Sequence, residues 1–330
     1  TKVKTLPQLM DTWYHSIGRN GTLLLNFPIM PNGLIHPADE KAALAQAQAV
    51  KEAFAVNLAA NARAEASQIR GNARKFGPTK ALDSNTETYW TTDDSITAAS
   101  LTLDFGKPTR FNRFMAQEYI RLGQRVKSFS LEALVAGEWQ EMAKGTTIGY
   151  KRILRFPTVE ASKLRFHITG SKACPVISEI GVYQAPPILT LPVMIRDQAG
   201  EVTITPADQE SEVYYTVDGS EPTPGSVKYT GPFRADGKPE VKAIAHDPST
   251  GKSSAINHEK FDLPRKNWKI METDDEKAYA ILDGNPATSW HQNRSEWPVD
   301  LVIDLGAELN LTGFRYHPDR GLWGPGIITE

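Results

Sequence analysis

Apolar positions in the first 58 residues follow a helical pattern, then a continuous run, then a second helical pattern. Residues 5–16 place apolar side chains three or four positions apart, which predicts a helix with Thr5 as its N-cap. The run TLLLNF at residues 22–27 lacks polar alternation and predicts a strand buried on both faces. A second, alanine-rich helix is predicted over residues 39–54. Helix, buried strand and helix form the tail of an α/β repeat, so we expect further repeats before Thr1.

After residue 58 the pattern changes to short alternating segments that are typical of β-sandwiches. In the first 120 or so residues of this part, the alternating segments are 128–134, 137–142, 152–156, 163–169 and 177–183. Glycine, proline, serine and lysine separate them, which predicts an all-β sandwich over residues 59–185. A smaller sandwich is predicted over residues 186–263, where Pro186-Pro187 forms a linker and Asp218-Gly219 marks a turn.

One pattern occurs twice at a spacing of 200 residues without a gap. ALDSNTETYW at residues 81–90 matches ILDGNPATSW at 281–290, and LTLDFG at 101–106 matches LVIDLG at 301–306. This shared register predicts two copies of one domain, the second of which begins near residue 264. The second copy has only sixteen residues after Phe314, so we expect its remaining strands to lie beyond Glu330. The predicted domains are 1–58, 59–185, 186–263 and 264–330.

Composition excludes several classes of function. The chain carries 37 basic and 39 acidic residues, so it lacks the charge that nucleic acids or anionic membranes attract, and we expect no nucleic-acid partner. No apolar run approaches the about 20 residues that cross a bilayer, so no membrane insertion is predicted. Cys174 is the single cysteine, which excludes an internal disulfide and favours a buried structural thiol.

The loop at residues 83–88, which we call the aspartate loop, carries several oxygen-bearing side chains. The candidate calcium ligands in the first copy are Asp83, Asn85, Thr88 and, on a later strand, Glu179. The corresponding candidates in the second copy are Asp283, Asn285 and Thr288. Calcium prefers oxygen ligands in this kind of loop. A turn in which the aspartate accepts backbone N–H groups explains the same residues without a metal, and both hypotheses stay open.

The larger sandwich resembles the discoidin-type domain, also known as the coagulation factor type C domain and as carbohydrate-binding module family 32. The aspartate loop, the LDFG and IDLG motifs and ISEIGVY at residues 177–183 carry the resemblance. It implies a jelly-roll sandwich, a structural calcium in many members, and a ligand site in loops at one end. The loop candidates here are Asp93, Asp94, Tyr119, Arg121, Arg125 and Trp139. A solvated polar loop is the alternative.

The other two regions resemble further families. VYYTVDGSEPT at residues 213–223 is similar to the chitobiase C-terminal type domain, which implies an immunoglobulin-like spacer without catalytic residues. SIGRNGTLLLNFP at residues 16–28 resembles the end of the catalytic barrel of glycoside hydrolase family 29, the α-L-fucosidases. QEYI at residues 117–120 and GQRV at 123–126 resemble the discoidin-type domain that a subset of these enzymes carries. The implied fold is the end of a (β/α)8-type barrel followed by jelly-roll and immunoglobulin-like sandwiches.

The fucosidase resemblance implies a retaining exo-hydrolase that removes terminal α-L-fucose, α-1,3/1,4-linked in that subset, from fucosylated glycans without a catalytic cofactor. Its Asp nucleophile and Glu acid/base belong to strands upstream of Thr1, so no catalytic residue is assigned here. As the end of the last barrel strand, Asn26 and Phe27 are predicted to lie at the fucose pocket, or alternatively to pack the barrel rim. Arg125 is predicted to contact residues 1–58. The N-terminal part of the barrel is the expected partner of this chain. A secreted or periplasmic location is expected.

Two other functions compete with this interpretation. Tandem discoidin-type domains are also typical of non-catalytic glycan-binding or adhesion proteins. The spacer alone is compatible with a hexosaminidase. The motif at residues 16–28 argues against both, because an adhesive protein has no use for a barrel strand.

Overall fold

A computed structural model describes residues 3–235, 240–272, 275–284, 288–290 and 300–314. The chain divides into two compact units. Thr1–Ile188 and Asp208–Ser211 form the first unit, and Leu189–Ala207 and Glu212–Glu330 form the second. No helix in the described part of the chain is long and apolar enough to span a membrane.

Both predicted helices are present at the start of the first unit. α1 spans Leu6–Ser16 and α2 spans Pro37–Ala53. α1 begins after Thr5, whose backbone N–H donates to Gln8 Oε1 at 3.0 Å. α2 begins two residues earlier than predicted, because His36 caps it by accepting the Ala38 N–H at Nδ1 over 3.1 Å.

The predicted strand at residues 22–27 is not formed, and this correction follows from strand pairing. No described strand pairs with this segment. The Leu24 side chain is 92% exposed instead of buried. A strand needs hydrogen-bonding neighbours, and the described chain supplies none here.

The first unit contains the larger sandwich, a seven-stranded antiparallel arrangement. Its strands are β1 Arg63–Ala66, β2 Trp90–Thr91, β3 Ala99–Glu118, β4 Val126–Val135, β5 Glu138–Gly145, β6 Arg152–Ser171 and β7 Val176–Tyr183. The strand order is β2-β7-β3-β6-β4-β5, and β1 pairs with β3. The core contains the buried side chains of Trp90, Phe111, Phe114, Phe129 and Phe166. The all-β sandwich predicted from the alternating segments is therefore confirmed.

Two predicted strands, 152–156 and 163–169, are in fact the two ends of β6. Pro157 suggested a break between them, but β6 keeps pairing with β3 through Val159–Phe111 and Ala161–Thr109. The register of this pair shifts twice, once between Asp104 and Thr109. Such irregularities bend long strands without ending them.

The second unit contains the predicted smaller sandwich. Its strands are β8 Val193–Arg196, β9 Glu201–Thr205, β10 Glu212–Thr216, β11 Val227–Lys228, β12 Phe233–Arg234, β13 Glu240–Asp247, β14 Lys252–Ser253 and β15 Asn257–Lys260. One sheet has the order β11-β10-β13-β14 with β15 on β13, and the other has the order β12-β9-β8. Val202, Val213 and Val241 lie in the core between them.

The second copy of the repeat reproduces the local structure of the first. β16 Lys269–Met271 pairs with β17 Val302–Asp304 as β1 pairs with β3. The Asp304 carboxylate accepts the Gly306 N–H at 2.8 Å, and Asp104 accepts the Gly106 N–H at 2.9 Å. The two motifs at 101–106 and 301–306 therefore share this strand and turn, and the division into two copies of one domain stays a prediction. Short 3₁₀ helices occupy Leu58–Asn61, Arg70–Asn72, Arg74–Phe76, Pro78–Ala81, Ile120–Leu122 and Glu276–Ile281.

Candidate functional site

α1 docks on the larger sandwich through Tyr14. The Arg113 Nε donates to the Tyr14 hydroxyl at 2.9 Å, and the Arg155 guanidinium carbon lies 4.5 Å from the Tyr14 ring centroid. Arg155 also pairs with Asp11 at 2.8 Å. Apolar contacts with Met10 and Ile153 complete this patch. The helical segment and the sandwich are therefore held together by packing and by charged hydrogen bonds.

The loop after α1 joins the sandwich by backbone hydrogen bonds. The Ile153 N–H donates to the Gly18 carbonyl at 2.8 Å, and Arg19 forms an antiparallel bridge with Arg152. The Asn20 Oδ1 accepts the Tyr150 N–H at 2.9 Å. This loop leads directly into residues 22–27, so the sandwich fixes the start of that segment.

The predicted fucose-pocket residues lie at the other end of the same segment. Asn26 is exposed and Phe27 is half-buried. Neither lines the two clefts of the sandwich described below. Their placement at a sugar pocket stays a prediction.

Among the described residues, Arg125 makes its hydrogen bonds within the sandwich and not, as predicted, with residues 1–58. Its Nη1 donates to the Cys174 carbonyl at 3.0 Å and lies 3.0 Å from the Cys174 Sγ. Its Nε donates to the Leu122 carbonyl at 3.2 Å. These contacts lie within the sandwich. Arg113, Arg155 and the loop at 149–150 are among the groups that contact the N-terminal segment instead.

The aspartate loop adopts the predicted turn. Asp83 Oδ1 accepts the Asn85 N–H at 3.1 Å, Thr88 Oγ1 donates to the Asp83 carboxylate at 2.8 Å, and Lys80 Nζ lies 3.2 Å from Asp83 Oδ2. Burial acts to raise the pKa of Asp83, but hydrogen bonds from Thr88, Lys80 and the Asn85 backbone outweigh it and hold that pKa below its usual value. The carboxylate is therefore stabilised in its charged form.

Glu179 on β7 lies beside this loop and is only 6% exposed. Its Oε2 has no hydrogen-bond partner among the described residues. Burial and the nearby charge of Asp83 raise the pKa of Glu179 to about 7, although the Ser84 N–H partly offsets them. Two carboxylates with one unpaired oxygen fit a cation, which would neutralise their repulsion.

The remaining oxygen ligands for such a cation would have to be hydroxyl and carbonyl groups. The described chain contains no cluster of three or more His, Cys, Asp or Glu side chains that would hold a metal. The Thr88 Oγ1 lies 3.0 Å from the Asn85 carbonyl oxygen and 3.4 Å from the Lys80 carbonyl oxygen, so both carbonyls lie beside it. Calcium accepts such neutral oxygens, and the set therefore fits calcium better than a transition metal.

The second copy repeats part of this arrangement. Thr288 Oγ1 donates to Asp283 Oδ2 at 2.6 Å, as Thr88 does to Asp83. The backbone is left-handed at Ser84 and at Gly284, with φ of 55° and 74°. Asn285 lies outside the described residues.

Two clefts flank an aromatic pair at one end of the larger sandwich. The rings of Tyr89 and Tyr119 lie 4.8 Å apart, and Phe76 stacks on Tyr89 at 5.6 Å. The first cleft, of about 220 Å³, is lined by residues that include Glu87, Gln117, Tyr119, Arg121, Tyr150 and Ser178. The second cleft, of about 110 Å³, is lined by residues that include Arg70, Tyr89, Asp94, Leu122, Arg125 and Cys174.

The structure brings four of the six predicted loop residues to these clefts. Tyr119 and Arg121 line the first cleft, and Asp94 and Arg125 line the second. Asp93 instead accepts the Gly71 N–H at 2.9 Å. Trp139 lies elsewhere, with the Arg165 guanidinium carbon 4.3 Å from its ring centroid.

Sequence reasoning assigned no role to three residues that line the first cleft, namely Glu87, Gln117 and Tyr150. They come from a turn, a strand end and a loop that are far apart in the chain. The sequence offers one weak signal for Gln117, namely that the polar pair Gln117-Glu118 follows the apolar residues at 114–116.

Family models match two parts of the chain. The F5/8 type C domain matches residues 62–180, and the Fn3 associated family matches residues 202–261. These matches coincide with the larger and the smaller sandwich.

Similar proteins are α-L-fucosidases. Alpha-L-fucosidase 1 of Arabidopsis thaliana is 36% identical over 184 residues, which are 54% of this chain and 36% of that protein. A protein of Oryza sativa subsp. japonica, named after the same activity, is 38% identical over 184 residues, 55% of this chain and 36% of that protein. A GH29 fucosidase from Ruminococcus gnavus, solved in complex with fucose, is 34% identical with a TM-score of 0.53 and covers 55% of this chain and 37% of its own. The chain spans about a third of the length of the curated relatives it matches.

Proposed function

We propose that this chain is the C-terminal part of a retaining exo-α-L-fucosidase that removes terminal α-L-fucose from glycans. The identity to plant α-L-fucosidases over 184 residues carries the proposal. The F5/8 type C match supports the interpretation of the larger sandwich as an accessory domain attached to the catalytic barrel. The proposed substrates are fucosylated oligosaccharides, and we expect the fucose to be α-1,3- or α-1,4-linked. The proposed location is secreted or periplasmic.

In the proposed whole protein, residues 22–27 form the last strand of the catalytic barrel. Leu24, Ile29 and Leu34 are large apolar side chains that are more than half exposed in the described chain. Burying apolar surface contributes about 25 cal/mol per Å², so neighbouring barrel strands would stabilise this segment. The loop at residues 18–20, held by the sandwich, would fix where the strand begins.

The chemistry of retention requires two carboxyl groups about 5–5.5 Å apart, one as nucleophile and one as acid and then base. In our proposal both come from the part of the barrel that precedes this chain. Asp11 is engaged with Arg155 and Asp83 with Lys80, so neither is free for that role. This chain would contribute Phe27, packed on the apolar face of fucose, and Asn26, a hydrogen-bond partner for a hydroxyl or a neighbouring side chain.

Hydrolysis of an aryl α-L-fucoside by the intact protein tests the proposal. We expect release of the aryl group and, by NMR, an initial sugar product that keeps the α configuration. The chain alone should be inactive, which provides the control. If the intact protein binds glycans but does not hydrolyse the fucoside, the adhesion alternative replaces ours.

We also propose that the aspartate loop holds a structural calcium ion. Asp83 and Glu179 would supply the charged ligands, and the oxygens of Asn85 and Thr88 would complete the site. The unpaired Glu179 Oε2 supports this assignment. In the second copy, Asp283, Asn285 and Thr288 are the corresponding proposed ligands. Calcium here would connect β7 to the loop and take no part in hydrolysis.

A further inference from the structure

We propose that Arg19 and Arg152 form a binding site for one carboxylate group, which in the intact protein is an aspartate or glutamate of the barrel part that precedes this chain. That source of the carboxylate rests on the proposed function, which assigns a barrel part to the intact protein. Three observations carry the site itself. The two side chains share one face of the sheet, a buried nitrogen of Arg152 has no partner, and neither arginine forms an ion pair within the described chain.

Backbone pairing places the two arginines side by side. Arg19 forms an antiparallel bridge with Arg152, and the Ile153 N–H donates to the Gly18 carbonyl at 2.8 Å. Residues directly opposite each other in an antiparallel pair point to the same face, with Cβ atoms about 4.5–5.5 Å apart. The register therefore brings together two positive charges from segments that are distant in the chain.

The same register explains why part of Arg152 is buried. Arg152 is the first residue of β6, and it pairs on its other side with Ala116 of β3. Ala116 pairs in turn with Ile180 of β7, and both of these side chains are fully buried in the core. The Arg152 side chain therefore starts on the core-facing side of the sheet, whereas Arg19 is exposed.

The guanidinium group of Arg152 lacks compensation for this burial. Its Nε is buried and has no hydrogen-bond partner among the described residues. Burial and the nearby charge of Arg19 lower the pKa of Arg152, so both act against its positive charge. An unpartnered buried donor and a neighbouring like charge each cost stability, and one anion between the two side chains would offset both costs.

Another arginine of β6 shows how such a charge is satisfied at this end of the molecule. Arg155 lies three residues further along the strand and pairs with Asp11 of α1 at 2.8 Å. Within the described part of the chain, neither Arg19 nor Arg152 forms an ion pair. A carboxylate is the natural partner for the second pair as well, since guanidinium and carboxylate groups form short charged hydrogen bonds.

The position of the two arginines indicates where that carboxylate comes from. Residues 18–20 lead directly into 22–27, where the Leu24 side chain is 92% exposed. In the proposed barrel, neighbouring strands cover Leu24 and bring further chain to this margin of the sandwich. An acidic side chain opposite the arginines would complement their charge, whereas an apolar or basic one would leave the buried guanidinium uncompensated.

The first test uses the 330-residue chain with sodium acetate as the probe and sodium chloride at equal ionic strength as the reference. Acetate should raise the Tm of the wild-type chain by about 1–2 °C over chloride, because a bound ligand stabilises the folded state. Arg152→Met and Arg19→Met should each abolish this difference. Arg63→Met is the matched control and should keep it, because Arg63 is exposed and already lies 3.0 Å from Glu65.

The second test compares Arg152→Met in the chain and in the intact protein. In the chain, removal of an unpaired and partly buried charge should raise Tm or leave it unchanged. In the intact protein, the same substitution should lower Tm by about 2–4 °C, because it leaves the carboxylate of the barrel without its partner. Acetate should not raise the Tm of the wild-type intact protein, since the site is already occupied there.

Several outcomes would overturn the proposal. An acetate effect that survives Arg152→Met, or its absence in the wild-type chain, would show that the two arginines bind no carboxylate. A lower Tm of Arg152→Met in the chain itself would show that Arg152 is satisfied without a partner from the barrel. An intact protein that acetate still stabilises, or that Arg152→Met does not destabilise, would exclude a barrel carboxylate and leave an open site for a free acidic ligand. Fucoside hydrolysis by the wild-type intact protein is measured separately, so its absence would reject the fucosidase proposal without changing these shifts in Tm.

Discussion

At the scale of single residues, the buried carboxyl group of Glu179 is a place where the larger sandwich loses stability. Its Oε2 has no hydrogen-bond partner among the residues that the structure describes, and it lies near the charge of Asp83. Such a group persists when something outside the protein chain satisfies it, and we propose a cation for Glu179.

The raised pKa of Glu179 makes a prediction about pH. Because the folded-state pKa is about 7 and the ordinary value is 4.5, the native state binds more protons between these values, and stability should fall as pH rises through them. The loss in the free energy of unfolding should be of the order of 3 kcal/mol without calcium. Urea unfolding in EDTA across this range measures it, and Glu179→Gln should remove the difference.

Calcium should reverse this trend, because it binds the deprotonated carboxylates. We expect calcium to raise Tm more above pH 7 than at pH 5, and to have no such effect on Glu179→Gln. The same Tm with calcium and with EDTA at the higher pH would show that the turn interpretation of the aspartate loop is sufficient.

A second residue-scale prediction concerns Phe27 in the intact protein. Phe27→Ala should lower kcat/KM for an aryl α-L-fucoside by roughly tenfold or more, since it removes the proposed contact with the sugar. Phe27→Leu should restore part of the loss because it keeps apolar volume. Unchanged kinetics in Phe27→Ala would indicate that Phe27 packs the barrel rim and does not contact the sugar.

At the scale of elements, Tyr14 is the side chain of α1 that contacts two arginines of the sandwich. Tyr14 is buried between Arg113 and Arg155, and its hydroxyl accepts the Arg113 Nε. Its ring also packs on Trp13 at 5.1 Å. The attachment of the N-terminal segment should therefore depend strongly on this residue.

Graded substitution of Tyr14 tests this attachment. Tyr14→Phe removes one hydrogen bond from a charged donor and should cost about 1.5–3 kcal/mol of unfolding free energy. Tyr14→Ala also removes the ring and should cost about 3–5 kcal/mol. His15→Ala, at an exposed position on the same helix, should stay within about 0.5 kcal/mol in urea unfolding. Equal effects of Tyr14→Ala and His15→Ala would contradict the proposed role.

At the scale of the whole molecule, residues 22–44 present several apolar side chains to solvent in the described chain. Leu24, Ile29, Leu34 and Leu44 are all more than half exposed. The proposed barrel would cover Leu24, because a barrel strand between two neighbours is buried on both faces. Substitution of Leu24 is thus expected to change the free energy of unfolding more in the intact protein than in the chain alone.

Leu24→Ser measures that difference directly. In the 330-residue chain it should change the free energy of unfolding by less than about 0.5 kcal/mol, as exposed substitutions do. In the intact protein it should cost about 2–5 kcal/mol and reduce fucosidase activity. Leu131→Ser, in the sandwich core, should destabilise both forms. An equally small effect of Leu24→Ser in both would contradict the barrel-strand proposal.

Much of the fold was predictable from the sequence because its determinants are local. The N-cap of α1, the alternation in β4 and the turn chemistry of the aspartate loop act between residues close in the chain. The continuity of β6 through Pro157 was not predictable, since it depends on pairing with β3. The contacts of Arg125 with Cys174 were missed for the same reason, because 49 positions separate the two residues.

By itself, the sequence determined the periodic elements, the repeat and the families that the motifs resemble, because each of these is encoded in the order of residues along the chain. Only the tertiary structure decided which polar groups are left without partners and which loops share a cleft. Gln117, Tyr119 and Tyr150 meet in one cleft, and Glu179 meets Asp83, only after strands distant in sequence have paired. Burial and hydrogen-bond satisfaction are properties of that assembled packing, so no local pattern specifies them.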